Sequence, residues 1–111
     1  MTRKVTKGSG NIFADLGFEN AEEMETKAKL VSQINAIIKK RKLTQKDAGN
    51  LLGITQSRVS DLSHGGLSGF SVERLLRFLN KLDREVEIVV KPKRTRRPAT
   101  TTITFTDQLS V

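Results

Sequence analysis

The sequence predicts a small, mainly α-helical bundle of four to five helices closed by one C-terminal β-strand. Three observations carry that expectation. Between residues 21 and 82 apolar side chains recur at helical spacing, and capping residues precede the helical stretches. Glycines or a basic run close the first three of them, and at REVEIVVKP, residues 84–92, the period drops to simple alternation.

In chain order, residues 1–10 hold Lys, Arg, Thr, Gly and Ser with almost nothing apolar, and read as a flexible arm. The following NIFADLGF places Ile12, Phe13, Leu16 and Phe18 as a short turn or helix folded onto the core. Asn20 and Glu23 have the spacing of a capping box. A long amphipathic helix is expected from Ala21 to Lys42: Met24, Ala28, Val31, Ile34 and Ile38 form the stripe, and Leu30 and Ile37 widen it. Acid at its start and Lys39, Lys40, Arg41 and Lys42 at its end suit the helix dipole.

Two short helices follow. Thr44 caps the first, with Asp47 three residues on, and Gly53 ends it in the left-handed conformation. Thr55 caps the second, QSRVSDLSH, which Gly65 and Gly66 stop. After a loop, Ser71 caps a fourth helix with Val72, Leu75, Leu76, Phe78, Leu79 and Leu82 on its apolar face. Val86, Ile88 and Val90 then alternate with charge as the expected strand, which Pro92 terminates. A solitary strand leaves its amides and carbonyls unpaired; the N-terminal arm or the TTITFT stretch could pair with it, but a strand from a second copy is the simpler reading, which makes a twofold homodimer the expectation.

The chain of 111 residues is 36% hydrophobic and 29% charged, enough for one small core and not for a large enzyme fold. There is no Cys and a single His, which excludes disulfides, thiolate metal sites, thiol nucleophiles and multi-histidine metal centres. The scattered carboxylates form no acid–base set, so neither enzyme activity nor a cofactor is expected. His64 reads as a helix-end residue. No apolar run reaches the roughly 20 residues of a membrane span, and no secretory leader is visible, so a soluble cytoplasmic protein is expected.

The formal charge of +8 is uneven: +4 over residues 1–43, +1 over 44–92 and +3 over 93–111. Basic ends of this kind favour a polyanion, because each cation laid on a phosphate releases counterions without choosing a sequence. The nearly neutral middle is left to discriminate.

That middle, Gln45 to Leu62, has the pattern of two short helices crossed steeply over a tight turn. Ala48, Leu52, Ile54, Val59 and Leu62 fall at inward positions, Gly49 is the small contact and Gly53 makes the turn. The segment TQKDAGNLLGITQSRVSDLSHG resembles the helix-turn-helix of the phage repressor and Cro, or XRE, family. The wider stretch, residues 11–92, resembles the subgroup that includes HigA-type antitoxins and implies a lambda-repressor-like fold, with residues 93–111 as a basic tail outside it. Ala48 stands where repressors often carry Leu, and Gly49 where Ala is usual.

The resemblance implies a residue-by-residue interface with double-stranded DNA. Gln56, Ser57, Arg58 and Ser60, on the exposed side of the second motif helix, take the base-reading positions, since Gln pairs with adenine and Arg with guanine in the major groove. Asp61 stands beside them, able to accept from cytosine or to repel phosphate. Thr44, Gln45, Lys46, Thr55 and Ser68 take backbone positions. For a dimer the site is an inverted repeat with reading helices about 34 Å apart.

The resemblance also implies an autorepressing antitoxin whose partner is a RelE-like toxin. A stand-alone or phage-derived regulator, and an interaction module that has lost DNA binding, remain open alternatives. In the tail, Ile103 and Phe105 alternate with Thr, so that segment reads either as disordered or as a strand added to a sheet edge or a partner.

Overall fold

The computed structural model describes residues 20–106. The expected arm, the NIFADLGF segment and residues 107–111 lie outside them. Four helices stand in the described chain: α1 (Ala21–Lys40), α2 (Gln45–Leu52), α3 (Gln56–Ser63) and α4 (Val72–Lys81). Helix α1 buries Leu30, Val31, Ile34 and Ile37, the centre of the stripe, while Met24, Ala28 and Ile38 are half-buried at its edges.

These side chains meet Leu52, Leu62, Phe70, Leu75, Phe78, Leu79 and Leu82 in one core. Each fully buried leucine contributes about 1.5–3 kcal/mol relative to leaving it in water. Polar ties fix the frame around this core. The Asn35 side-chain amide on α1 donates to the Leu62 carbonyl near the end of α3 at 2.8 Å, and Lys81 on α4 reaches the Leu52 carbonyl at 3.4 Å.

Three of the four expected caps form. The Thr44 hydroxyl accepts from the Asp47 amide at 3.0 Å, Thr55 from Arg58 at 3.2 Å and Ser71 from Arg74 at 3.1 Å. Asn20 does not cap. At φ −107° and ψ 48° it lies outside the extended conformation that aims a capping side chain at the first turn, and only its carbonyl takes part, accepting from Met24.

All four helices end alike. Lys42, Gly53, Gly65 and Asp83 have φ of 56°, 78°, 78° and 66°. The next amide in each case, of Leu43, Ile54, Gly66 and Arg84, returns to a carbonyl five residues back, on Ile38, Gly49, Asp61 and Leu79. This Schellman arrangement satisfies carbonyls a helix end leaves orphaned. It stops α1 at Lys40, two residues before the expected end, because Lys42 is already left-handed.

The expected strand is absent among the described residues. Val86, Ile88 and Val90 lie in a segment without a ladder and are 37%, 75% and 90% exposed. Alternation offers one face to a sheet, but a strand exists only by pairing, and among the described residues no ladder joins 86–90 to another segment. The stretch 101–106 forms no ladder either. It returns to α1, where the Thr101 amide donates to the Glu22 carboxylate at 2.8 Å and Ile103 packs against the core. Among the described residues no helix is long and apolar enough to cross a membrane.

Candidate nucleic-acid interface

Helices α2 and α3 are joined by Gly53, Ile54 and Thr55. The inward set anticipated from the sequence is in place: Ala48, Leu52, Val59 and Leu62 are no more than 2% exposed, and Ile54 is half-buried against the core. Gly49 is buried where the helices cross, with space for a hydrogen and not for a methyl group. With Val59 and Leu62 turned inward, the opposite face of α3 must look outward.

That outward face carries the anticipated polar residues. Gln56 and Ser57 occupy the first turn and are exposed, and Ser60 follows half-exposed one turn on. The Thr55 hydroxyl accepts the Arg58 amide, so its own proton remains available to a ligand oxygen. Asp61 is exposed beside them.

Arg58 is held. Its guanidinium lies 4.4 Å from the centre of the Phe70 ring, donates to the Gly69 carbonyl and stands 3.6 Å from the Asp61 carboxylate. Sequence spacing exposes the Arg58–Asp61 pair, three residues apart on a helix, but gives no sign of the longer reach to Gly69 and Phe70. Those contacts tie the loop that holds Ser68, which is exposed, to α3.

Thr44, Gln45 and Lys46 are exposed at the start of a different helix, α2, which packs on α3. Free amides at that helix start, with Lys46 beside them, suit an anionic oxygen. His64 sits at the end of α3, its Nδ1 2.8 Å from the Ser60 carbonyl. Among the described residues no cluster of His, Asp or Glu has the make-up of a metal site.

A helix-turn-helix domain family matches residues 12–91, most of the chain. A solved structure described as an XRE family transcriptional regulator is 44% identical, with a TM-score of 0.75, and the match covers 78% of this chain and 99% of that one. No curated protein matches. The crossed pair α2–α3, its buried junction and these matches agree: the chain belongs to the XRE-type helix-turn-helix family, a family of DNA-binding transcriptional regulators.

Proposed function

We propose that this protein is a sequence-specific repressor that binds double-stranded DNA by laying the outer edge of α3 in the major groove. The observation that carries the reading is the division of α3: Val59 and Leu62 sealed into the core, Gln56, Ser57 and Ser60 left outside. Gln56, Ser57 and Ser60 meet base edges, where a good bidentate pair discriminates by about 1–3 kcal/mol. Arg58 stands on the same turn, but with its guanidinium engaged by Phe70, Gly69 and Asp61 this reading assigns it no base. Thr44, Gln45, Lys46, Thr55 and Ser68 take phosphates.

The operator is an inverted repeat read by a homodimer. Support comes from Val86, Ile88, Val89 and Val90, an exposed apolar run that a strand of a second copy would cover. From the family resemblance we infer an antitoxin that represses its own operon and binds a RelE-like toxin.

Gel shifts on the DNA upstream of the protein's own reading frame test the reading. A retarded band that survives excess non-specific competitor is expected, and the absence of any band at low salt contradicts it. Co-expression with the adjacent frame tests the toxin pairing, with co-purification as the expected result.

A further inference from the structure

We propose that Arg58 is a positioning residue: a clasp that locks the loop after α3 onto the reading helix and leaves base choice to its neighbours. The inference rests on the DNA-binding reading above and specifies how its edge is held. Three contacts converge on one guanidinium. Phe70 supplies a ring face, Gly69 a carbonyl and Asp61 a carboxylate, so the planar group is gripped on its face and at its terminal nitrogens.

The platform itself is packed on both sides. Phe70 is buried, meets Phe78 edge to face at 5.7 Å and is flanked by Arg74 with its guanidinium carbon 5.8 Å from the ring centre. Residue 69 is matched to the clasp: a β-carbon there would lie 2.9 Å from both terminal nitrogens of Arg58. A swing of Arg58 out to a base would bare the Phe70 ring and release the Gly69 carbonyl, so the engaged position is the stable one.

Two consequences follow for the interface. Ser68, next to the clasped carbonyl, is set at a fixed distance from α3 instead of riding on a free loop. Asp61, more than half exposed on the DNA-facing edge, has its charge offset by the cation three residues away, which relieves repulsion from phosphate.

The experiment selects the preferred duplex of the wild-type protein from a random pool. It then measures affinity, base preference at each position and amide exchange for Arg58→Ala, Arg58→Lys, Phe70→Leu and the Arg58→Ala/Phe70→Leu double variant, each at a temperature where it is folded. A clasp predicts that each single variant weakens binding by about tenfold with base preferences unchanged, and that Lys does not rescue, since it lacks the planar face. The double variant loses no more than the weaker-binding single variant, and the amides of residues 68–70 exchange faster in all.

Loss of preference at one base pair in Arg58→Ala with Phe70→Leu unaffected makes Arg58 a reader and overturns the proposal. Full rescue by Lys, or a salt dependence reduced by one phosphate with Phe70→Leu neutral, makes it a simple charge contact and overturns it equally. A wild-type protein that selects no sequence defeats the DNA reading instead, while the exchange rates still decide whether the clasp exists.

Discussion

Gly49 and Ile54 approach so closely at the crossing of α2 and α3 that a β-carbon on Gly49 would stand 2.7 Å from the Ile54 carbonyl oxygen. The neighbour is backbone, fixed by the Schellman turn in which the Ile54 amide itself bonds the Gly49 carbonyl at 3.0 Å. By propensity alone, Gly49→Ala stabilises the helix by about 1 kcal/mol. Here the clash reverses the sign: the variant is expected to lose about 1–3 kcal/mol, as in overpacked cores. Thermal unfolding of the two proteins checks it, and a raised midpoint would show that the crossing relaxes freely.

The opposite outcome is expected at the end of α1. Lys42 is left-handed at φ 56°, exposed, and closes the same kind of turn that Gly53 and Gly65 close without strain. Lys42→Gly relieves a cost of about 1–2 kcal/mol, partly offset by the entropy glycine brings to the unfolded chain. A net gain of about 0.5–1 kcal/mol in denaturant unfolding is expected.

Thr55 joins a helix cap to a proposed phosphate contact. Its hydroxyl accepts the Arg58 amide in the first turn of α3. Thr55→Ala costs about 1 kcal/mol of stability, and Thr55→Ser retains most of it. DNA affinity falls further in Thr55→Ala than in Thr55→Ser, because both the helix start and the free hydroxyl proton are lost.

These cases show where the sequence was legible. Helix starts were readable at Thr44, Thr55 and Ser71, since a hydroxyl three residues ahead of an amide is a local relation. The turn at Gly53 and the inward set Ala48, Val59 and Leu62 were readable for the same reason. Lys42 and Asp83 hid two identical helix ends, because nothing in a lysine or an aspartate announces a positive φ.

The contacts that span the chain were also hidden. The Arg58 clasp joins residues 11 apart, and the return of Thr101 to Glu22 crosses 79. The missing ladder at Val86–Val90 has a different cause: alternation reports a face fit for pairing, while pairing depends on a second segment.

That segment supplies a prediction of its own. Ile88, three-quarters exposed, sits in the middle of the apolar run. Ile88→Lys, a charge on a face proposed to lie between copies, is expected to shift the sedimentation profile from dimer to monomer and to weaken binding to a two-half-site duplex more than to a single half-site. Unchanged sedimentation would place the contact between copies elsewhere.

The basic stretch Lys91, Lys93, Arg94, Arg96 and Arg97 is exposed and contains no acid. Replacing these five with Gln is expected to flatten the salt dependence of DNA binding while the preferred sequence stays the same, since phosphate contacts carry affinity without base choice. An altered preference with an unchanged salt slope would place these side chains in a groove.

The most direct measurement is an amide chemical-shift map of the folded protein titrated with its selected duplex. The largest changes are expected on Thr55 to Asp61, with a second set at Thr44 to Lys46 and Ser68, while the buried face through Val31 and Ile34 of α1 stays still. A tight complex that leaves Gln56, Ser57 and Ser60 unperturbed would contradict this expectation.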